Sequence, residues 1–233
     1  MGKPIFVNYR RDDEGGFADA IHLRLEKEFG EDDVFRDQGG IAAGLDFTRV
    51  IRDQVAACDV MLAIIGPKWL NMPGRDGGRR IDAPADFVRI EIETGLQLDK
   101  RVIPVLVNKA KMPAEAALPP PIRKLALCNA VTISNDKVGH DCDALFKEIR
   151  KALAEARDRH GKMAVRNEWQ KVLDGGEPMK MRAHLQALPK DHWLAAEAAP
   201  VYHAALASYA KRILASGRLS QLKSFADEFT DTK

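Results

Sequence analysis

Residues 33–66 read DVFRDQGGIAAGLDFTRVIRDQVAACDVMLAIIG, and this stretch decides the fold. Val34 and Phe35 form a short apolar pair. Phe47, Val50, Ile51 and Val55 repeat at helical spacing, and Val60 to Ile65 is an unbroken hydrophobic run. The pattern is strand, loop, helix, strand, and the last strand has the composition of one covered on both faces. The loop carries Gly39, Gly40 and Gly44, yet has neither the G-x-G-x-x-G spacing nor a G-K-S/T ending. It is therefore not a phosphate cradle of the usual kind.

The same alternation extends in both directions. Ile5 to Tyr9 predicts a first strand and Gly15 to Phe29 an amphipathic helix with Phe17, Ile21 and Leu25 on one face. A helix is expected from Asp86, its cap, to Leu98, with two rival apolar stripes: Phe87, Ile90 and Thr94, or Val88, Ile92 and Leu96. Val102 to Val107 and Asn129 to Ile133 read as further strands, and Asp141 to Leu153 as a closing helix. Strands alternating with helices specify an α/β sandwich around a parallel sheet. Five strands favour a flavodoxin-like three-layer order, whose ligands meet the carboxyl ends of the strands. After the charged stretch EARDRHGK (155–162) only helical patterns follow, and Pro200 is expected to kink or divide the longest. The expected division is an α/β domain over 1–155 and a small all-α module over 156–233.

Composition narrows the function. With 36 basic and 34 acidic residues in 233, the net charge of +2 gives no reason to expect nucleic-acid binding. Cys58, Cys128 and Cys142 are too scattered for a zinc knuckle or a disulfide framework. The six histidines show no ligand spacing, so no metal is expected. No apolar run is long enough for a membrane span and no signal-peptide pattern opens the chain; a cytoplasmic protein is the expectation.

Three stretches carry a family resemblance: IFVNYRRDDEGGFA (5–18), VFRDQGGIAAGLDF (34–47) and DFVRIEIETGL (86–96). They resemble a TIR (Toll/interleukin-1 receptor) domain of the bacterial type. The first is similar to the family's F-I/V-S-Y-x-x-x-D box, with Asn8 where serine is commoner. IIGPKWL (64–70) resembles the strand and turn that follow in such domains. The resemblance covers about Lys3 to Leu153.

That resemblance implies an NAD+ nucleosidase or cyclase, with NAD+ as substrate and no separate cofactor, of the kind found in prokaryotic antiphage defence and cell suicide. The family's pattern, D/S-F/W-V-x-x-E-I/L, carries the catalytic carboxylate onto Glu91 rather than Glu93. Nicotinamide leaves readily because its departure neutralises a positive charge. One carboxylate that holds the ribose and favours the developing cation can then suffice, unlike the two-carboxylate arrangement of most glycosidases. At least one of Arg10 and Arg11, after the first strand, is expected to meet the pyrophosphate or adenosine, the alternative being a surface ion pair. Asp37 is read either as a loop anchor or as a substrate contact. Gly44 matches the family's loop glycine, and the loop at Gly39–Gly44 is expected to gate the site and to make contacts between TIR domains. Phe47 either packs beneath that loop or approaches the nucleotide, and Trp69 either lines the pocket or closes the core. Asp12 and Asp13 are read as acids flanking a helix. The helical module is expected to support association or bind a protein partner. The alternative is a noncatalytic interaction module acting as adaptor or scaffold. A phospho-receiver shares the topology, but Gly66 and Pro67 stand where its acceptor aspartate is needed.

Overall fold

The computed structural model describes residues 3–36, 47–189 and 191–217. It contains five strands, β1 (Ile5–Asn8), β2 (Val34–Arg36), β3 (Val60–Ile65), β4 (Arg101–Val107) and β5 (Val131–Ile133), and six α-helices. The helices are α1 (Arg11–Phe29), α2 (Phe47–Ala57), α3 (Phe87–Gln97), α4 (Val138–Asp174), α5 (Pro178–Gln186) and α6 (Trp193–Ser216). Every strand pair is parallel, in the order β2-β1-β3-β4-β5, with Asn8 opposite Ala63 at the end of the β1–β3 ladder. The order reverses between β1 and β3, which makes their carboxyl ends the natural crevice of the sheet.

Side-chain parity explains the three layers. Ile5, Val7, Val60, Leu62, Ile64, Ile103, Val105 and Val107 share a core with Ala18, Ile21 and Leu25 of α1 and Leu145 and Ile149 of α4. The alternate residues Phe6, Met61, Ala63, Ile65, Val102 and Leu106 face Ile51 and Val55 of α2 and Val88 and Ile92 of α3. Period-two alternation thus feeds two separate cores. Pro104 interrupts β4, but β5 pairs only from Val105 onward. The strand is an edge on that side at Pro104, a setting that tolerates a missing N–H.

Several boundaries differ from the expected ones. α1 begins at Arg11 rather than Gly15, with Glu14 in a non-helical conformation (φ −139°, ψ 45°) inside it. A 3₁₀ segment, Pro120–Leu127, packs Ile122 and Leu125 into the second core where no element was expected. α4 is one helix through the charged stretch read as a break, because Gly161 alone does not outweigh the strong helix formers around it. α6 continues past Pro200 without dividing.

The chain divides into two compact units between Ala156 and Arg157. In the second, Trp169, Met181, Leu194 and Ala198 form a separate small core. Arg166 lies 4.9 Å from the centroid of the Trp193 ring and pairs with Glu197 at 3.0 Å. The segment 219–229, read as a last helix, lies outside the described residues. No helix among those described is long and apolar enough to cross a membrane.

Candidate active site

The site is built where the end of β1 meets α3. Asp86 caps α3, its Oδ2 accepting from the Arg89 N–H at 3.3 Å, as the sequence predicts. Of the two apolar stripes, Val88 and Ile92 face inward while Phe87 is exposed. Gly95 lets the helix approach β3 closely: a Cβ there would lie 3.1 Å from the Met61 sulfur. This orientation turns Glu91, one position before Ile92, toward β1.

Glu91 is only 4% exposed. The Asn8 amide Nδ2 donates to its Oε2 at 2.6 Å and to the Val88 carbonyl at 3.2 Å. Glu93, two residues on, lies on the outer side and pairs with Arg89 and Gln97. The resemblance's choice between the two glutamates thus falls on the one that the fold buries against the sheet.

Arg10 forms an ion pair, buried rather than at the surface. Its Nη1 and Nη2 donate to Asp86 Oδ1 and Oδ2 at 3.0 and 2.7 Å, and both side chains are 1% exposed. Such a bidentate pair is the strong form of the interaction. It fastens the first turn of α3 to the end of β1, five residues from Glu91. Arg80 adds to it, with Nε 3.5 Å from Asp86 Oδ1 and Nη1 donating to Asp12 at 3.0 Å. Arg11 is exposed at the first position of α1. Trp69 is fully buried among the second core's side chains. Asp37 and Gly44 lie outside the described residues, as does the loop between them. Phe47 opens α2, and its side chain also falls outside the description.

Asp13, one of the two acids read as flanking a helix, and Glu14 beside it tie the start of α1 to the segments after β3 and β4. Asp13 accepts from the Lys68 N–H at 2.8 Å, and Asn108 Nδ2 donates to Glu14 at 2.7 Å. Burial raises the Asp13 carboxyl above its ordinary value, against the lowering effect of the Lys68 and Gly66 N–H groups. Glycine suits position 66 because a Cβ there would collide with Glu14 Cγ and with the Asp13 carboxylate. At the carboxyl ends of β3 and β4, a cavity of about 370 Å³ is lined by residues including Gly66, Leu70, Asn71, Lys109 and Met112. Arg36 stacks over Tyr9 at 5.1 Å beside the end of β1. Among the described residues, no cluster of three or more His, Cys, Asp or Glu is placed to hold a metal ion.

Asn8, Asp86 and Arg80 are the residues missed as parts of a site. Asn8 was visible only as a departure from the serine of the strand motif, and Asp86 only as a cap and as the first position of the pattern that ends on Glu91. Their partners lie 83 and 76 residues away along the chain, where no local pattern points to them. Chemically, the arrangement offers a single carboxylate, buried at the sheet's crevice and oriented by an amide, on a helix fixed by a second polar tie.

Residues 5–149 match the family model of the TIR domain. No curated protein matches the chain. Among solved structures, a metazoan TIR-STING receptor from C. gigas in complex with 2′,3′-cGAMP is 18% identical, with a TM-score of 0.41. The match covers 60% of this chain and 37% of that receptor. The TIR domains of the activated Roq1 resistosome, which directly recognizes the pathogen effector XopQ, are 11% identical over 64% of this chain and 99% of theirs, with a TM-score of 0.44.

Proposed function

Because the chain belongs to the TIR-domain family, we propose that it cleaves the nicotinamide–ribose bond of NAD+, with Glu91 as the catalytic carboxylate. The observation that carries this reading is the burial of Glu91 at the carboxyl end of β1, with an amide donor 2.6 Å from one oxygen. A carboxylate fixed in a dry crevice stabilises a developing ribosyl cation more strongly than one in water, because its orientation is set before the reaction begins. Nicotinamide departs as a neutral molecule. Water reaching the cation gives ADP-ribose, and the substrate's own adenine gives a cyclic product. NAD+ loss or the cyclic signal would serve antiphage defence or cell suicide.

Association belongs to the same proposal. TIR surfaces and the loop at Gly39–Gly44 bring copies together, and the helical module after residue 155 supports that association or receives a protein partner. The scaffold reading draws on one specific observation: Arg10, a candidate substrate contact, is engaged by Asp86. The test is chromatography of NAD+ incubated with wild-type protein and with Glu91→Ala, at low and high protein concentration. Nicotinamide release by wild type alone, rising faster than linearly with protein, supports the enzyme. Equal release by the variant removes Glu91 from its role. No release at any concentration, even after enforced clustering, favours the scaffold.

A further inference from the structure

We infer that Asn8 is the positioning residue of Glu91, setting the direction and depth of its carboxylate by donating two hydrogen bonds to one turn of α3. The functional meaning rests on the catalytic reading of Glu91; the geometry does not. Asn8 ends β1 and is wholly buried. Its Nδ2 reaches the Val88 carbonyl at 3.2 Å and Glu91 Oε2 at 2.6 Å. Both partners accept, so the NH₂ end must face the helix.

Val88 and Glu91 are three residues apart, within one turn and on one face of the helix. The amide therefore grips the backbone and the carboxylate of α3 together. The carboxylate cannot rotate without breaking the shorter bond, and the helix cannot slide along the sheet without breaking the longer one. Arg10, two residues on, adds an independent hold on the start of the same helix.

The cost of this device is visible. Asn8 Oδ1 is buried with no hydrogen-bond partner, which most buried polar atoms avoid. A serine at this position has one donor and serves Val88 or Glu91, not both. A leucine serves neither and leaves a buried carboxylate without this donor. Two donors on one short side chain are what the geometry requires.

The experiment uses the full chain with Asn8→Leu, Asn8→Ser and Glu91→Gln. In NAD+ cleavage, Asn8→Leu is expected to lose about 100-fold in kcat with KM changed by less than about twofold, the pattern of a misplaced reacting group. Asn8→Ser is expected to recover roughly tenfold of that loss, since its hydroxyl can still donate to Glu91. Thermal unfolding of each variant identifies any that fails to fold. A kcat for Asn8→Leu within about threefold of wild type, or a loss wholly in KM, overturns the inference.

A second readout is independent of cleavage. In ¹⁵N-labelled wild type, the Asn8 side-chain amide is expected to show one proton shifted downfield by the carboxylate, and Glu91→Gln to move that resonance. If wild type does not cleave NAD+, the functional proposal falls while this spectrum still judges the positioning. An Asn8 amide unmoved by Glu91→Gln overturns the inference even in an active enzyme.

Discussion

Replacing Arg10 with methionine should destabilise the α/β unit by about 3–5 kcal/mol, because it strands the 1%-exposed Asp86 carboxylate without its bidentate partner. Arg80, 3.5 Å from the same carboxylate, and the Arg89 N–H soften the loss, which places it at the low end. Asp86→Asn keeps a cap acceptor for α3 but leaves the Arg10 guanidinium buried and unpaired, at a similar cost of about 3–5 kcal/mol. The two losses have one origin, so the double variant should fall short of their sum by about 2–3 kcal/mol. Urea unfolding supplies the measurement, followed by Trp69 fluorescence with Trp169 and Trp193 replaced by phenylalanine. Trp69 is fully buried in the α/β unit and reports on it alone. Additive single effects, or a cost below about 1 kcal/mol for Arg10→Met, would refute the reasoning, since values that small belong to exposed pairs. If Arg10 served the substrate instead, its loss would raise KM for NAD+ and leave the unfolding curve in place.

Gly66→Ala should cost about 1–3 kcal/mol and slow-exchange protection at the Lys68 amide should fall, because the new methyl displaces the Asp13 carboxylate that accepts from it; retained protection would contradict this. Burial pushes the Cys58 thiol up to about 11, which leaves about a thousandth of it as thiolate at pH 8. Mass spectrometry should therefore find Cys58 unmodified by iodoacetamide in the folded protein and modified after unfolding. The Ser134 hydroxyl and N–H hold the Asp141 carboxyl at about 2. Its folded value is lowered, so its contribution is complete above the ordinary carboxyl value of 3.8 and lost as pH falls toward 2. Ser134→Ala should raise the Asp141 midpoint in a carboxylate NMR titration, and an unmoved midpoint would rule out that cause.

The frame of the fold was legible because burial on two faces leaves a local mark. Val60 to Ile65 and Val102 to Val107 are apolar throughout, and both became central strands. The buried stripe of α3 was not decidable from period alone, since Phe87 and Ile90 repeat as well as Val88 and Ile92. What chose between them was the β1 end, where Asn8 and Arg10 each found a polar partner on the helix. Pairings across about 80 residues depend on topology, and a charged residue gives the same local signal whether it meets substrate or a buried aspartate. Arg10 shows this most plainly. α4 shows the converse: a dense run of charges looks like a linker, yet its residues are strong helix formers, and the helix continues through them.

The most direct measurement is nicotinamide release by Glu91→Gln beside NAD+ binding by the same variant. Glutamine keeps the size of the side chain while removing the charge that the proposed mechanism assigns to Glu91. The account predicts NAD+ affinity within about threefold of wild type and cleavage reduced by at least about 100-fold, the signature of a group acting in the transition state. Cleavage by Glu91→Gln at the wild-type rate would contradict it.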